Sequence, residues 1–536
     1  MRFSDLVRGL RVEAMEGDPG VEVTGVAYDS RRVTPGDAFF CVRGYIHDGH
    51  DFIPDAVAQG AVALVVEGRE GLAEARAWLS PGRAAAIAAV PGMRPAMGLA
   101  AANFFDHPSR RLRVIGVTGT NGKTTTTHLV RELLVANGCT CGLIGTVHNV
   151  VGGESLPAGR TTPEAFDLQD LALRMVRAGD RFLSMEVGSH ALALDRVTGF
   201  DFNIAVFTNL SQDHLDFHKD LESYFLAKAR LFENLGRNGR GASGATRGIG
   251  GDDTKAAILN AEDPASGRLA SIATAPVVTY GTDSSSADVR AARIRLEPSR
   301  AVFFLVVSEA LGGSFPWVPA YEGEVVLSMT GRHNVANALA ALTSVLVEGV
   351  SPEGAVAALA GVKGAAGRFE TVDAGQDFMA VVDYAHTPDG LENVLGAARA
   401  LKPRRVITVF GCGGDRDKTK RPLMGEVVAR LSDLCVVTSD NPRSERPEAI
   451  IDDIRPGLAK AGRRENSDYF IEPDRAKAID LAVRAAGPGD LVLVAGKGHE
   501  TYQMFADRTI HFDDREVLRD CIARTLRARE GGPGGV

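Results

Sequence analysis

Arg113-Val114-Ile115-Gly116-Val117-Thr118-Gly119-Thr120-Asn121-Gly122-Lys123-Thr124-Thr125-Thr126-Thr127 is the stretch that decides the fold of this chain. Its β-branched apolar beginning predicts a strand, and residues 124–137 predict a helix that stops before Gly138. A strand, a Gly-rich turn ending in Gly-Lys-Thr and a helix are typical of a loop that binds nucleotide phosphates. We therefore expect ATP or GTP to bind here.

The chemistry of this loop follows from its residue types. Glycines leave room for backbone N–H groups to point at phosphate oxygens, Lys123 adds a positive charge, and the Thr124 hydroxyl can ligate Mg²⁺. The general spacing expects Gly at position 117, where this chain has Val. A Gly-rich turn without a ligand is the alternative, but Gly-Lys-Thr stands at the strand–helix junction and favours phosphate. The predicted nucleotide-binding residues are Gly119, Thr120, Asn121, Gly122, Lys123, Thr124 and Thr125.

The composition narrows the class of protein. A length of 536 residues predicts three or four domains, and a net charge of −8 argues against a nucleic-acid-binding surface. The six cysteines form no C-x-x-C pair, as expected for free thiols in a reducing compartment. The first residues lack the apolar core of a signal peptide, and no apolar run approaches the roughly 18 residues of a membrane span. We expect a cytoplasmic monomer with no nucleic-acid partner and no membrane span.

Apolar runs alternate with helical patterns, which predicts an α/β protein of three domains. We expect a small N-terminal α/β domain (1–108), a central domain with the phosphate loop on a doubly wound, mainly parallel sheet (109–349), and a Rossmann-like C-terminal domain (350–526). An antiparallel patch is expected after Tyr280, within residues 289–328. The Gly-rich segment 237–254 predicts a mobile insertion, and residues 527–536 predict a disordered tail.

Polar clusters follow several of the predicted strands. Glu186 and His214 lie in two such clusters, 184–190 and 208–216, near the phosphate loop. A single residue of this kind is more often a cap or an ion pair. Two clusters beside a phosphate loop favour a metal or phosphate site, because ligands of open α/β sheets bind at the carboxyl ends of strands.

The C-terminal domain has four polar or Gly-rich strand ends, at residues 383–388, 411–418, 439–445 and 496–500. Together they predict a second binding crevice. A nucleotide domain between two others suggests that ATP hydrolysis is coupled to the joining of two substrates. A kinase, a GTPase-type switch and a non-enzymatic ATP-binding module are the alternatives; no N-K-x-D motif supports the switch.

Gly119–Thr124 resembles the ATP loop of the Mur ligases, and segments 184–190, 209–216, 331–334, 383–388 and 413–418 resemble further motifs of that family, in its order. Asp440-Asn441-Pro442-Arg443 and Gly496-Lys497-Gly498-His499-Glu500 are similar to its diaminopimelate-adding members. The resemblance covers nearly the whole chain. It implies an ATP- and Mg²⁺-dependent ligase of peptidoglycan precursor synthesis. The implied reaction joins meso-2,6-diaminopimelate to the D-Glu γ-carboxylate of UDP-MurNAc-L-Ala-D-Glu through an acyl phosphate.

The resemblance also implies roles for single residues near the nucleotide. Thr124, Glu186 and His214 would place Mg²⁺, and Asn334 would contact the nucleotide. Lys228 matches the lysine that the family carbamylates to N6-carboxylysine; by spacing alone it is a helix-surface lysine. The implied catalytic residues are Lys123, Lys228, Asp383 and His386.

Substrate-binding residues are implied in all three domains. Ser30, Tyr45, Ile46 and His47 match the residues with which the family contacts the uridine end of the nucleotide substrate. In the central domain, its contacts with that substrate match Thr161, Thr162, Gly188 and Arg196. Gly188, Arg160 and Leu194 depart from the residues that the family often has there. The amino-acid contacts match Arg416, Asp440, Asn441, Pro442, Arg443, Gly496 and Glu500.

Two of these residues predict the choice of amino acid. The Arg443 guanidinium suits the distal carboxylate of diaminopimelate, and Glu500 suits its distal ammonium. L-Lysine would leave Arg443 unpaired, at a cost of about 1–3 kcal/mol or more. The alternatives are a lysine-adding ligase and, because of Gly188 and Leu194, a non-catalytic ATP-binding scaffold. Folylpolyglutamate synthetases have a similar ATP-binding loop, but the segment Asp440-Asn441-Pro442-Arg443 argues against that class of enzyme.

Overall fold

The fold was analysed in a computed structural model, which describes residues 1–44, 47–79, 84–235, 254–284, 286–297, 300–362 and 364–530. The described strands form sheets of five, eleven and six strands and one two-stranded hairpin. The three sheets follow one another along the chain without exchanging strands, and one lies within each predicted domain. This mixed α/β architecture confirms the predicted fold class.

The N-terminal sheet has the order β1-β5-β4-β3-β2, with β2 to β5 parallel and β1 antiparallel to β5. Its inner strands are buried on both faces, which is why they read as continuous apolar runs. The strands are β1 (Ala14–Gly17), β2 (Gly25–Ala27), β3 (Asp37–Phe40), β4 (Ala63–Glu67) and β5 (Ala86–Val90). The helices are α1 (Phe3–Leu6), α2 (Ile53–Ala58), α3 (Gly68–Ala75) and α4 (Met93–Phe104).

The central sheet is built from the next eleven strands of the described chain. They are β6 (Arg113–Thr118), β7 (Cys141–Ile144), β8 (His148–Val151), β9 (Glu154–Pro157), β10 (Phe182–Glu186), β11 (Ile204–Phe207), β12 (Ala256–Asn260), β13 (Val277–Gly281), β14 (Val289–Leu296), β15 (Ala301–Val307) and β16 (Tyr321–Leu327). The helices are α5 (Lys123–Ala136), α6 (Ala165–Ala178), α7 (Ser189–Ala193), α8 (Leu215–His218), α9 (Leu221–Glu233), α10 (Ala265–Ile272), α11 (Leu311–Ser314) and α12 (Arg332–Val347).

Strand β6, which leads into the phosphate loop, lies inside this sheet between β10 and β11 and is parallel to both. The polar segments that follow these three strands therefore meet at one edge of the sheet. The predicted antiparallel patch is confirmed by β14 to β16. A second antiparallel edge, β7 to β9, was not predicted, because β8 and β9 are only four residues long and β9 is mostly exposed. The Gly152-Gly153 pair that joins β8 to β9 is a typical hairpin turn.

The C-terminal sheet has the order β17-β18-β22-β19-β20-β21 and is parallel from β18 to β21. Strands β23 and β24 pair as a separate hairpin. The strands are β17 (Glu370–Thr371), β18 (Met379–Asp383), β19 (Val406–Phe410), β20 (Leu434–Val437), β21 (Tyr469–Ile471), β22 (Leu491–Ala495), β23 (Tyr502–Met504) and β24 (Thr509–His511). The helices are α13 (Pro352–Leu359), α14 (Pro388–Ala400), α15 (Lys420–Leu431), α16 (Pro447–Lys460), α17 (Arg475–Ala485) and α18 (Asp514–Glu530).

The ends of the C-terminal unit differ in detail from the predicted boundaries. Ala355 and Leu359 of α13 belong to the same buried cluster as Leu133 of α5, so this helix packs with the central core although it follows residue 349. Helix α18 continues to Glu530, so residues 527–530 are helical and do not belong to the predicted disordered tail. Residues 531–536 and nearly all of segment 237–254 lie outside the described residues. No helix within the described ranges is long and apolar enough to cross a membrane.

Candidate active site

The phosphate loop between β6 and α5 depends on two glycines. Gly119 has φ +151° and Gly122 has φ +86°, a region that side chains rarely adopt. A Cβ atom at Gly119 would lie 1.9 Å from Thr208 Oγ1, and one at Gly122 would lie 2.3 Å from Asn337 Oδ1. Only glycine fits either position, so the loop backbone can follow a path that leaves the first N–H groups of α5 directed at the cavity.

Gly122→Ala is expected to raise the KM for ATP about tenfold or more, because the new methyl group would displace Asn337 and distort the loop. Gly138→Ala is the matched control, since Gly138 also has a positive φ, +78°, but no atom within 4 Å of the new Cβ. The positive φ alone should cost each variant about 1–2 kcal/mol of stability in thermal unfolding, and Gly122→Ala should lose more because of its overlap with Asn337. An unchanged KM for ATP in Gly122→Ala would contradict this role of the glycine.

Two lysines converge on the first carbonyl of the loop. Lys123 Nζ donates to the Gly119 oxygen at 2.9 Å and the Thr120 oxygen at 2.7 Å, and Lys228 Nζ donates to the Gly119 oxygen at 2.7 Å. Lys228 is only 1% exposed. Burial, together with the nearby Lys123 charge, holds the pKa of Lys228 well below its usual range, although Asp213 opposes this shift. Lys228 is therefore a buried amine rather than the surface lysine that spacing alone suggests.

The predicted magnesium ligands lie along the same cavity. Thr124 Oγ1 donates to Glu186 Oε2 at 3.0 Å, and Glu186 also accepts from the Thr146 N–H at 2.7 Å and the Thr146 hydroxyl at 3.1 Å. Burial lowers the pKa of His214 to about 3, so its imidazole is neutral at physiological pH. A hydroxyl, a carboxylate and a neutral imidazole fit a cation that keeps water and phosphate among its ligands, as Mg²⁺ does. The described residues contain no cluster of three or more His, Cys, Asp or Glu arranged for a metal.

A cavity of about 810 Å³ lies between the central and C-terminal domains. It brings together predicted residues from both domains and from nine separate segments of the chain. Its lining includes Gly119, Thr120, Asn121, Gly122, Lys123, Thr124, Thr125, Thr161, Thr162, Glu186, Gly188, Arg196, His214, Lys228, Asn334, Asp383, His386 and Arg416.

Three further predicted residues that line this cavity are held by backbone groups. The Asp383 carboxylate accepts from the Ala385 and Phe369 N–H groups, both at 2.7 Å, and burial raises its pKa. His386 Nδ1 lies 2.8 Å from the Tyr384 carbonyl, and burial lowers its pKa to about 4. Asn334 Nδ2 donates to the Thr330 carbonyl at 2.8 Å. Their orientations are therefore set before any ligand binds.

Sequence reasoning missed two side chains that cross from the C-terminal domain to the phosphate loop. Arg368 Nη2 lies 3.2 Å from Thr124 Oγ1, and its guanidinium stacks 4.7 Å from the Tyr384 ring. Asp389 accepts from Asn121 Nδ2 and, at 3.0 Å, from the Ser211 hydroxyl. Arg368 follows no strand and repeats at no spacing, so no local pattern could have indicated it.

The central residues predicted to hold the nucleotide-sugar substrate form a connected group. Thr162 Oγ1 donates to the Glu186 carbonyl at 2.9 Å and accepts from the Gly188 N–H at 3.1 Å, while Arg196 Nη1 donates to the Thr162 carbonyl at 3.3 Å. The Thr161 hydroxyl lies 3.0 Å from that of Thr146.

A second cavity, of about 390 Å³, has Arg32 of the N-terminal domain and Asp167 and Arg174 of the central domain in its lining. Arg160 lines both cavities, so they adjoin at that side chain. In the N-terminal domain, Ser30 is buried and His47 is exposed. Tyr45 and Ile46 lie outside the described residues.

The predicted amino-acid contacts form a third group, at the carboxyl ends of β20 and β22. Glu500 Oε2 accepts from Asn441 Nδ2 at 2.7 Å and from Lys497 Nζ at 2.9 Å; Lys497 was not singled out from the sequence. Gly496 has φ +120°, and a Cβ there would lie 2.5 Å from Asp440 Oδ2. Glu500, Asn441, Asp440 and Gly496 therefore form one compact set.

Arg443 joins this set to the loop that carries Arg416. Its Nη1 donates to the carbonyl of Gly414, two residues before Arg416, at 2.7 Å. The segment with Asn441, Pro442 and Arg443 is held by the β23–β24 hairpin. Met504 N donates to Asn441 Oδ1 at 3.0 Å, and the Met504 carbonyl accepts from the Arg443 N–H at 3.1 Å.

Comparison with known proteins gives matches along the whole chain. Three family models match in succession: "Mur ligase family, catalytic domain" at residues 22–108, "Mur ligase middle domain" at 117–345, and "Mur ligase, glutamate ligase domain" at 367–498. A solved structure of a UDP-N-acetylmuramoyl-L-alanyl-D-glutamate–2,6-diaminopimelate ligase has a TM-score of 0.64 and 30% identity, covering 98% of this chain and 99% of that one. MurF ligase from Thermotoga maritima shares the fold, with a TM-score of 0.62 at 18% identity and coverage of 95% and 99%.

Full-length relatives are similar at higher identity. A protein of Solibacter usitatus is 46% identical over 502 residues, or 94% of each chain, and one of Syntrophomonas wolfei is 43% identical over 525 residues, covering 97% of this chain and 99% of its own. Both are named UDP-N-acetylmuramoyl-L-alanyl-D-glutamate–2,6-diaminopimelate ligase. The resemblance that the motifs indicated is thus confirmed, and the chain belongs to the Mur ligase family.

Proposed function

We infer that the chain is an ATP-dependent ligase that joins meso-2,6-diaminopimelate to the D-Glu γ-carboxylate of UDP-MurNAc-L-Ala-D-Glu in peptidoglycan precursor synthesis. The observation that carries this inference is the cavity between the domains. The phosphate loop and Arg416, which belongs to the candidate amino-acid site, both line this cavity. The full-length relatives named for this reaction support the choice of substrates. We place the reaction in the cytoplasm, where six free, buried thiols are stable.

The chemistry explains why ATP is needed. A carboxylate is a poor electrophile, and transfer of the γ-phosphoryl group of ATP to the D-Glu γ-carboxylate, with release of ADP, creates an acyl phosphate. The free amine of the amino acid then attacks the acyl carbon, inorganic phosphate leaves, and the new amide nitrogen loses a proton. Lys123 and Arg368 line the cavity, and together with the N–H groups at the start of α5 they would stabilise the charge on the transferred phosphoryl group.

A magnesium ion would be held by Thr124, Glu186 and His214. Their hydroxyl, carboxylate and neutral imidazole suit it as argued above. When bound, the ion supplies positive charge to phosphate oxygens. The chain itself orients these donors: Thr146 binds both oxygens of the Glu186 carboxylate through its N–H and hydroxyl.

We propose that Lys228 carries a carbamate. Carbamylation needs a neutral amine, which adds to CO₂ and releases a proton, and the lowered pKa of the buried Lys228 supplies that amine. The resulting anion would lie beside Lys123, since both Nζ atoms contact the Gly119 carbonyl. Carbamylation would thereby replace a neutral amine beside the Lys123 cation by an anion that forms an ion pair with it.

Lys228→Gln is expected to lower kcat about a hundredfold or more, because the anion and its contact with Lys123 are lost. Incubation of the unaltered protein with ¹³C-bicarbonate should give a carbamate carbon resonance that is absent from this variant. Lys460→Gln, at an exposed lysine on α16, is the control and should keep both activity and resonance. A fully active Lys228→Gln protein, or a resonance that survives the substitution, would argue against the modification.

The reaction itself is tested by phosphate release from ATP with UDP-MurNAc-L-Ala-D-Glu, with and without meso-diaminopimelate, and with L-lysine in parallel. We expect release that depends on diaminopimelate and a new tripeptide nucleotide detected by mass. The lysine-adding alternative requires release with L-lysine instead. The scaffold alternative, which Gly188 and Leu194 motivated, predicts that no phosphate release depends on an amino acid. The structure gives this alternative little support at Gly188, because its N–H donates to the Thr162 hydroxyl.

A further inference from the structure

Arg421, on α15, lies behind the amino-acid site and reaches none of its predicted contacts directly. Its side chain is 0% exposed. Nη1 donates to Glu445 Oε2 at 3.0 Å and Asp453 Oδ2 at 2.8 Å, while Nη2 donates to Glu445 Oε1 at 2.8 Å and the Gly413 carbonyl at 3.3 Å. One buried guanidinium thus binds the loop after β19, through Gly413, and the loop after β20, through Glu445.

Glu445, in the loop after β20, makes further bonds to the loop after β19. It accepts from the Asp415 N–H at 2.7 Å and pairs with Lys418 Nζ at 3.2 Å, which are both in the loop after β19. The Asp415 carboxylate accepts in return from the Ser444 hydroxyl at 2.6 Å and the Ser444 N–H at 3.2 Å. These bonds close a network that fixes the separation of the two loops.

The network ends at the two arginines that are predicted to contact the amino acid. Arg416 follows Asp415, and Arg443 precedes Ser444. Arg443 has φ +53°, an uncommon conformation that persists only where its surroundings enforce it. A Cβ at Gly413 would lie 3.0 Å from Arg443 Nη1, so a small shift of one loop against the other would move this guanidinium.

We propose that Arg421 and Glu445 are positioning residues that set the distance between Arg416 and Arg443 and thereby the selection of an amino acid with two carboxylates. The inference rests on the proposed function, which supplies the amino acid. A buried ion pair contributes little net stability by itself, and its best-attested benefit is a unique arrangement of the groups around it. Here those groups are the two loops of the recognition site.

Glu445→Gln tests this role. The amide replaces one carboxylate oxygen by a donor that faces the Arg421 donors, while Asp453 and Gly413 still bind the guanidinium, so the fold should persist. We expect the KM for meso-diaminopimelate to rise about tenfold to a hundredfold, with the KM values for ATP and the nucleotide substrate within about twofold of the unaltered protein. Glu448→Gln is the matched control, because this half-exposed glutamate near the start of α16 pairs loosely with Arg446, at 3.7 Å, and takes no part in the Arg421–Glu445 network; its KM values should stay unchanged.

Arg421→Lys keeps the charge but cannot bind both loops at once, so it should raise the same KM. The unaltered protein is assayed first. If it makes no product that depends on diaminopimelate, the proposed function is refuted, and the result does not bear on the bonds that Arg421 and Glu445 make between the two loops. If the unaltered protein is active, an unchanged KM for diaminopimelate in Glu445→Gln overturns the positioning role. An equal rise of all three KM values also overturns it, since that is the pattern of general destabilisation.

Discussion

Lys123→Ala is expected to lower kcat for amide formation by about 10²–10³-fold or more, the loss typical of one pre-oriented group that stabilises transition-state charge. The side chain contacts the Gly119 and Thr120 carbonyls inside the cavity and is the cation that the phosphate loop provides. The assay is phosphate release at saturating ATP, UDP-MurNAc-L-Ala-D-Glu and meso-diaminopimelate.

Glu132→Gln, on the same helix, is the control for this substitution. Glu132 is about half-exposed and does not line the cavity, so its replacement should leave kcat unchanged. Circular dichroism should show that both variants keep α5. An Ala variant that retains more than about a tenth of the kcat would place phosphoryl transfer away from this loop.

Arg443→Ala is expected to lower kcat/KM for meso-diaminopimelate by about 10²–10³-fold, because truncation leaves a desolvated carboxylate without its bidentate partner. The KM for ATP should change less than about threefold, since Arg443 contacts the Gly414 carbonyl and does not line the nucleotide cavity. The weak use of L-lysine should not fall further, so discrimination between the two amino acids should largely disappear.

Arg446→Ala is the matched control for Arg443→Ala. It removes an arginine three residues away whose side chain is 83% exposed and which pairs only loosely with Glu448, at 3.7 Å. Its kinetic constants should match those of the unaltered protein. An equal loss of diaminopimelate and ATP use in Arg443→Ala would show that this residue supports the fold and not recognition.

The sequence was most informative where buried strands read as continuous apolar runs. The parallel strands β12 and β22 coincide with the nearly continuous apolar segments 256–260 and 491–495, and α5 begins and ends one residue from the predicted helix 124–137. The reason is physical: parallel strands covered on both faces admit few polar residues, so their ends are marked by the polar loops. Short edge strands such as β8 and β9 lack that contrast and were missed.

The candidate site was predictable only in part, because several of its contacts join distant segments. Arg368 and Thr124 are 244 residues apart, and Asn121 and Asp389 are 268 apart. No local spacing encodes such pairs. The same holds for Lys497, Arg421 and Glu445, whose roles depend on how loops of the C-terminal sheet meet.

Lys228 shows how resemblance and structure complement each other. Spacing alone gave no reason to distinguish it from other helix lysines, and only the family resemblance implied carbamylation. The structure adds a physical reason, because it buries the amine beside Lys123 and lowers its pKa. The modification itself remains a prediction.

A competition between the two amino acids measures most directly whether the site with Arg443 and Glu500 selects diaminopimelate. The unaltered protein receives ATP, UDP-MurNAc-L-Ala-D-Glu and equal concentrations of meso-diaminopimelate and L-lysine, and the two tripeptide nucleotides are separated by mass at low conversion. A site built to bind a second carboxylate should reject the amino acid that lacks it by about 10²-fold or more. We expect the amount of lysine product to be about 1% or less of the amount of diaminopimelate product. Equal products, or an excess of the lysine product, would contradict it.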